Sequence, residues 1–177
     1  LRAQDMATAR SLAEELDAVN RRRQALTQSV VEHAESKWRD REPPNVLLSA
    51  DPEFHEGVVG LAAARLAERF HRPAIVGCMG ERSTRASARS IEGFHITEAL
   101  EACSQLLLRF GGHAAAAGME IPNENLPALE EELQFLFEER ADPSKLDPEL
   151  PIDAVVSFEE LSGDLLAFQD HLAPFGM

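Results

Sequence analysis

Two apolar segments separated by an amphipathic helix pattern constrain the fold of this chain more than any other feature. Residues 45–50 and 73–79 each have the composition of a buried strand, and residues 56–70 repeat apolar side chains at helical spacing. A strand, a helix and a strand within about 35 residues form a βαβ unit, which favours parallel strand pairing and a right-handed crossover. The sequence therefore predicts an α/β fold.

The segments after this unit alternate between strand and helix patterns. Strands are predicted over 82–90 and 114–121, and helices over 97–110 and 125–140. We expect Thr97 to cap the first of these helices, because its hydroxyl can accept from a free backbone N–H group. Gly111 is expected to end that helix, since glycine commonly follows the last helical residue.

A long helix pattern precedes this region. Residues 5–41 contain no glycine or proline and carry one apolar stripe, and Pro43-Pro44 ends the pattern. A helix of about 35 residues would be about 50 Å long, so an inter-domain connector and a packed core helix both stay open. We assign residues 1–42 to a connector helix and residues 43–141 to the α/β domain.

The C-terminal part begins with a linker pattern, because residues 142–151 include three prolines. An alternating strand pattern over 152–158 and a helix pattern over 161–172 follow it. The chain begins without methionine and stops soon after Pro174. We therefore expect part of a longer protein, with residues 152–177 as the truncated start of a further domain.

The net charge of −14 is concentrated in the last third of the chain. Residues 123–177 hold 2 basic and 14 acidic side chains, whereas residues 43–122 hold 7 arginines and 9 acidic side chains. Arginine suits bidentate contacts with phosphate. The net negative charge argues against strong non-specific DNA binding. It does not exclude a nucleic-acid substrate that binds near the arginines.

The composition argues against a membrane protein and against a disulfide scaffold. No apolar run approaches the length that crosses a bilayer, and the first residues lack a signal-peptide core. Cys78 and Cys103 have no ligand-like spacing. We expect both to be buried free thiols in a reducing compartment, and hence a cytoplasmic protein with no membrane partner.

A glycine-flanked histidine lies within residues 109–118, which read Arg-Phe-Gly-Gly-His-Ala-Ala-Ala-Ala-Gly. Gly111 and Gly112 permit a ligand to approach the backbone closely. A phosphate there could reach both bare N–H groups and the imidazole of His113. The alternative is that the glycines only end a helix and the histidine faces water.

Two weaker motifs precede this histidine. His55-Glu56-Gly57-Val58-Val59-Gly60 lies between the first strand and the first helix, where α/β proteins bind anions, although it also suits an ordinary turn. Ser87 and Arg89 share one face of a predicted strand and could bind phosphate, although edge strands often carry such residues. The sequence contains no convincing metal-ligand set, Walker loop, nucleophile elbow or zinc pattern. We therefore expect no catalytic residue and no metal site in this chain.

In this order, the three motifs resemble the DHHA1 domain of the RecJ family of single-strand-specific exonucleases, within the DHH phosphoesterase superfamily. The matching residues are His55-x-Gly57-Val58-Val59-Gly60, Ser87-x-Arg89-Ser90-Ile91-x-Gly93-Phe94 and Glu101-Ala102-Cys103-x5-Arg109-Phe110-Gly111-Gly112-His113-x4-Gly118. The long first helix and the tail Leu172-Ala173-Pro174-Phe175-Gly176, which resembles the entry to an OB-fold domain, narrow the match to that family. The resemblance implies a DHHA1-type mixed sheet flanked by helices.

The resemblance also implies a division of labour between two domains. A preceding DHH domain, absent from this chain, would hold two divalent metals, Mn²⁺ or Mg²⁺, that activate water for phosphodiester hydrolysis. This chain would bind the 5′ end of single-stranded DNA for a 5′→3′ exonuclease of DNA repair and recombination, and would be inactive alone. The implied phosphate-binding residues are Ser87, Arg89, Gly111, Gly112 and His113, with His55 and Ser90 as further candidates.

Two other functions stay open at this point. One is an oligonucleotide or cyclic-dinucleotide phosphodiesterase of the same superfamily, against which the long helix and the OB-like tail argue. The other is a non-catalytic RNA-binding module, such as the DHHA1-type appendage of alanyl-tRNA synthetases. A binding assay that compares tRNA with 5′-phosphorylated single-stranded DNA separates these functions.

Overall fold

The computed structural model describes residues 3–148, 150, 152 and 155–173, and the chain divides into two compact units, Leu1–Asp147 and Pro148–Met177. The larger unit contains a five-stranded mixed sheet with helices on both faces, which confirms the predicted fold class. Its helices are α1 (Met6–Ser36), α2 (Val59–Phe70), α3 (Ile96–Ala102) and α4 (Leu126–Arg140). Its strands are β1 (Leu47–Asp51), β2 (Ala74–Met79), β3 (Ser83–Arg89), β4 (Arg109–Gly112) and β5 (Ala116–Pro122). Short 3₁₀ turns occupy Ser104–Leu106, Asn123–Asn125 and Pro143–Lys145.

The strand order in the sheet is β1-β2-β3-β5-β4. β1 and β2 are parallel and are joined through α2, so the predicted βαβ unit is confirmed. The other three pairs, β2 with β3, β3 with β5 and β5 with β4, are antiparallel. β3 is therefore the central strand and has hydrogen-bonded neighbours on both sides.

The two faces of the sheet are covered unequally. Helices α3 and α4 cover one face, where side chains such as Ile75, Ala88 and Leu133 form one buried cluster. Helix α2 and the end of α1 cover the other face over β1 and β2, where Leu47 and Leu66 belong to a second cluster. Over β5 and β4 this second face is open, and over β3 the start of α2 covers it only in part, because the residues of these strands are exposed or half-buried there.

One half-buried amide side chain, that of Gln134, binds α4 to the residue before β1. Gln134 donates from Nε2 to the carbonyl oxygen of Val46 at 2.8 Å and accepts from the Val46 N–H group at 3.0 Å. The side chain thus pairs with Val46 as a neighbouring strand would. Since both backbone groups of Val46 would otherwise be buried without partners, this contact fixes α4 on its face of the sheet.

The helix predicted over 97–110 is wrong beyond Ala102. The Leu108 N–H group donates to the Glu120 carbonyl at 2.8 Å, and the following residues pair with β5 as strand β4. A short apolar run fits a helix or a strand equally well, and pairing with β5 decides between them here. Gly111 is consequently a strand residue and does not end a helix.

The predicted cap of this helix is also wrong. The imidazole of His95 accepts from the Glu98 N–H group at 3.2 Å and caps α3. The Thr97 hydroxyl instead donates to the carbonyl oxygen of His113 at 2.7 Å. Thr97, which was expected to cap the helix, therefore fixes the backbone of His113 instead.

Helix α1 is shorter than predicted and is packed along its C-terminal third only. Asp5 caps its start by accepting from the Thr8 N–H group at 2.8 Å. Its buried residues are Thr27, Val30, Val31 and Ala34. Leu12, Leu16 and Val19 are exposed among the described residues, so the first part extends away from the sheet as a connector would.

The smaller unit contains α5 (Gly163–His171), capped by Ser162, in agreement with the helix predicted over 161–172. The predicted strand over 152–158 is not formed at its described residues, 152 and 155–158. An alternating segment needs a neighbouring strand to complete its ladder, and the described part of this unit provides none. The tail motif at 174–176 lies outside the described residues.

Nowhere in the described parts of the chain does a helix combine the length and the apolar character of a membrane span.

The two cysteines are expected to differ in reactivity. Both are free, but Cys103 is fully buried, as predicted, whereas Cys78 is only half-buried. Burial raises the pKa of the Cys103 thiol to about 11. Because the thiolate is the nucleophile, iodoacetamide at a pH of about 8 should label Cys78 in the folded protein and Cys103 only after unfolding. Peptide mass mapping checks this, and equal labelling of both cysteines in the folded state would contradict it.

Replacing His71 with glycine is expected to stabilise the protein. His71 ends α2 in the left-handed conformation, with φ of 47° and ψ of 50°, and its buried Nε2 has no hydrogen-bond partner among the described residues. Glycine adopts this conformation without the steric cost of a side chain, so the free energy of unfolding should rise by about 1 kcal/mol. Urea denaturation measures this rise. His71→Ala keeps the steric cost and should give no such rise.

Candidate functional site

The open half of the sheet face forms a cleft of about 370 Å³. Its floor comes from β3, β5 and β4, and the start of α2 contributes one wall through Val59. The cleft is lined by Glu56, Val59, Arg85, Ala86, Ser87, Arg109, Phe110, Gly118 and Met119. It therefore collects residues from all three motifs that the sequence singles out.

A row of small residues crosses the floor of the cleft. Gly118 on β5 pairs with Ser87 on β3 and with Gly111 on β4. Directly paired residues point to the same face of a sheet, so the Ser87 hydroxyl stands beside two positions without side chains. We call Ser87, Gly118 and Gly111 the glycine row. It presents a hydroxyl and bare backbone to a ligand.

The two adjacent glycines do different things. A Cβ atom built at Gly111 meets no atom of the described residues within 4 Å, so this position is open floor. A Cβ atom built at Gly112 would collide with the Ala116 carbonyl oxygen and would lie 2.5 Å from the Cα atom of Ala117. Gly112 therefore permits the close packing of β4 on β5, and its expected role as a ligand contact stays a prediction.

Arg89 lies on the same face as Ser87, two residues further along β3. Its Nη1 donates to the carbonyl oxygen of Ala88 at 2.8 Å. The start of α2 lies directly over both side chains, because a Cβ atom built at Gly60 would be 3.4 Å from Arg89 Nη2 and from Ser87 Oγ. The glycine of the first motif thus brings α2 against the serine and arginine of the second.

His113 follows β4 at the end of the sheet where Arg89 lies. Its N–H group donates to the carbonyl oxygen of Ala116 at 2.8 Å, and Ala116 is the cross-strand partner of Arg89. The Thr97 hydroxyl holds the His113 carbonyl. The backbone is therefore fixed, while the exposed imidazole has no hydrogen-bond partner among the described residues and is available to a ligand.

Of the five predicted contacts, Ser87 lines the cleft, whereas Arg89, Gly111, Gly112 and His113 lie next to its lining. The two further candidates, His55 and Ser90, also lie outside the cleft. His55 is exposed, and its Nδ1 accepts from the Gly57 N–H group at 3.0 Å, which is a turn contact. The Ser90 hydroxyl donates to the Phe94 carbonyl at 2.6 Å, and Ser90 lines a different cavity together with Arg140. Both side chains have structural roles.

A second row of side chains, which the sequence reasoning did not identify, lies beside the glycine row. Arg85 Nη1 contacts Glu56 Oε1 at 2.9 Å, and Arg85 Nε lies 3.9 Å from Glu120 Oε2. Arg109 donates to the same Glu120 oxygen from Nε and from Nη2, both at 2.8 Å. We call Glu56, Arg85, Glu120 and Arg109 the charged row. The alternation Arg85-x-Ser87-x-Arg89 was the signal that could have found it, since residues two apart on a strand share a face.

The pKa values of two members of the charged row, Glu120 and Arg85, are shifted in the direction that favours their charged forms. A hydrogen bond from the Ser83 hydroxyl, at 2.9 Å, lowers the pKa of Glu120, and the Arg109 and Arg85 guanidinium groups lower it further. The hydrogen bond that Arg85 donates to Glu56 raises the pKa of Arg85. The row therefore holds two positive and two negative charges side by side.

One group of described residues resembles a metal-ligand set. His33, Asp51 and Glu53 each place one ligand atom within 4.8 Å of the others, and His33 Nε2 lies 3.5 Å from Asp51 Oδ2. The cleft itself presents hydroxyl, guanidinium and N–H donors to a ligand. The group of His33, Asp51 and Glu53 offers three ligand atoms in all, whereas a two-metal centre of the kind that the resemblance assigns to the DHH domain must hold two ions.

Comparison with known proteins shows the family of this chain. Residues 44–139 match the family model of the DHHA1 domain. The single-stranded-DNA-specific exonuclease RecJ of Bacillus subtilis is 34% identical over 183 residues, and that of Escherichia coli is 36% identical over 178 residues. The alignments cover 100% and 95% of this chain.

A solved structure has the same fold. RecJ from Thermus thermophilus, crystallised in complex with Mn²⁺, superposes with a TM-score of 0.81 at 28% identity and covers 98% of this chain. This chain corresponds to 26% of that chain, and to 23% and 31% of the B. subtilis and E. coli proteins. It therefore spans about a quarter to a third of the length of these relatives.

Proposed function

Because the chain belongs to the DHHA1 domain family, we propose that it is the substrate-binding part of a RecJ-type 5′→3′ single-stranded-DNA exonuclease. The observation that carries this proposal is the glycine row beside Arg89. A hydroxyl, a guanidinium group and bare backbone on one open face suit a terminal phosphate. Ser87, Arg89, Gly111, Gly112 and His113 are the proposed contacts.

In this proposal the chemistry is divided between two domains. A DHH domain of the same protein holds Mn²⁺ or Mg²⁺, the ions present in the T. thermophilus RecJ structures. The residues of this chain bind the 5′ end of the DNA strand and exclude other orientations of the DNA. The whole protein acts in cytoplasmic DNA repair and recombination. The isolated chain should therefore not degrade DNA with Mn²⁺, and robust metal-dependent degradation by it would contradict the division.

Loss of the Arg89 guanidinium group should remove the preference for a 5′ phosphate. We expect the full-length protein to bind 5′-phosphorylated single-stranded DNA about tenfold tighter than the 5′-hydroxyl strand, because charge-assisted contacts are worth about 1.5 kcal/mol or more. Arg89→Ala and Ser87→Ala should bring the two affinities together. Fluorescence anisotropy without divalent metal measures binding while preventing cleavage.

Arg140→Ala is the matched control, since Arg140 ends α4 on the opposite face of the sheet. It should keep the full preference for the phosphorylated strand. If Arg89→Ala also kept it, the cleft would not be the phosphate site. Tighter binding of tRNA than of phosphorylated single-stranded DNA would instead favour the RNA-binding alternative.

A further inference from the structure

The charged row lies one step along the sheet from the glycine row. Arg85 precedes Ser87 by two residues on β3, and Arg109 precedes Gly111 by two on β4. Two residues along a strand span about 7 Å. If the 5′ phosphate of a single-stranded DNA occupies the glycine row, the nucleotides next to that phosphate can therefore lie over the charged row.

The charges of this row do not suit a phosphate. Glu120 holds Arg109 through two contacts of 2.8 Å and is only 19% exposed, so its carboxylate is fixed in the floor. Glu56 likewise occupies Nη1 of Arg85. A phosphate that approached either arginine would meet an ionised carboxylate at close range and be repelled. The row thus differs from Arg89, whose guanidinium group donates to a backbone carbonyl instead.

The same geometry suits a nucleobase. The side chains of Arg109 and Arg85 are 67% and 55% exposed, so each is accessible to a ligand while a carboxylate occupies donors at the edge of its guanidinium group. Planar guanidinium groups stack on unpaired bases. Carboxylate oxygens accept hydrogen bonds from the amino groups of bases.

We infer that the charged row is a base-stacking platform next to the phosphate site, with Arg109 as its main contact. This inference rests on the proposed function, since it takes the ligand to be a single strand anchored at the glycine row. It assigns base contacts to Arg109 and phosphate contacts to Arg89. Arg109 and Arg89, which lie on neighbouring parts of the same sheet, should consequently respond differently to changes in the ligand.

Abasic oligonucleotides test this assignment. Binding of 5′-phosphorylated single strands to the full-length protein without divalent metal is compared for normal DNA and for DNA abasic at its first three nucleotides. Arg109→Ala should weaken binding of normal DNA by about five- to tenfold, the lower end of the range for base stacking, and binding of abasic DNA by less than about twofold. Arg89→Ala should weaken both ligands equally.

Salt dependence gives a second readout. Removing one phosphate contact to a single strand reduces the slope of log K against log salt concentration by about 0.7, so Arg89→Ala should lower the slope and Arg109→Ala should not. Arg109→Lys keeps the positive charge but lacks the planar guanidinium group that stacks on a base. It should therefore weaken binding of normal DNA as much as Arg109→Ala does.

Three outcomes would overturn the inference. They are equal loss on abasic and normal DNA, a lower salt slope in Arg109→Ala, or full binding by Arg109→Lys. If Arg109→Ala changed nothing, the row would lie outside the interface. Failure of the proposed function is distinguishable, because then Arg89→Ala would leave the preference for a 5′ phosphate intact.

Discussion

Replacing Gly112 with alanine is expected to lower the free energy of unfolding by about 3 kcal/mol or more, a large effect for one methyl group. The added Cβ atom would meet the backbone of Ala116 and Ala117, which cannot rotate away as a side chain could. Strand β4 would have to separate from β5 or twist out of register. Thermal unfolding should show a midpoint lowered by about 6–12 °C.

Gly111→Ala is the matched control, one residue away on the same strand. Its Cβ atom would point into open space, so stability should change by less than about 0.5 kcal/mol. The methyl group would nevertheless stand on the floor of the cleft and should weaken binding of a 5′-phosphorylated strand. Native-like stability of Gly112→Ala would show that β4 and β5 do not approach this closely.

Replacing His113 with alanine in the full-length protein is expected to lower kcat/KM on single-stranded DNA by about 10- to 100-fold while leaving the fold intact. The imidazole is exposed and makes no hydrogen bond to the described residues, so its removal should cost little stability. Its proposed role is to position a phosphate, and a hydrogen bond to a charged group is worth about 1.5–3 kcal/mol, which corresponds to a loss of about this size. Steady-state kinetics together with thermal unfolding measure both quantities.

Two further variants separate the placement of the His113 imidazole from its chemical role. Thr97→Val removes the hydroxyl that holds the His113 carbonyl and should give a smaller loss, because the imidazole is still present but less well placed. His71→Ala changes a histidine at the end of α2 and should leave turnover unchanged. Wild-type kcat/KM for His113→Ala would remove His113 from the proposed site.

The order of elements from α1 to the start of α3 was predictable because local patterns determine it. The βαβ unit was visible in the sequence, since two apolar runs flank a helix of ordinary length. The period of two along a strand placed Ser87 and Arg89 on one face. These parts of the fold depend on contacts close in sequence or on simple periodicity.

The neighbourhood of Gly111 could not be predicted in this way. The apolar run Leu106–Leu108 fits a helix, and only its pairing with β5 makes the next residues a strand. That pairing brings Gly111 into the glycine row and Arg109 against Glu120. Because such cross-strand partners depend on register, the pairing of Arg109 with Glu120 could not be predicted, although the alternation along β3 does place Arg85 on the face of Ser87.

The position of β3 in the middle of the sheet has a consequence for local unfolding. Native proteins open by parts, and edges with few neighbours open more readily than central strands. Ser87 and Arg89 lie on β3, which is hydrogen-bonded on both sides, whereas Arg109 and Gly111 lie on the edge strand β4. Fluctuations that release β4 would thus disturb the platform while the anchoring serine and arginine keep their places.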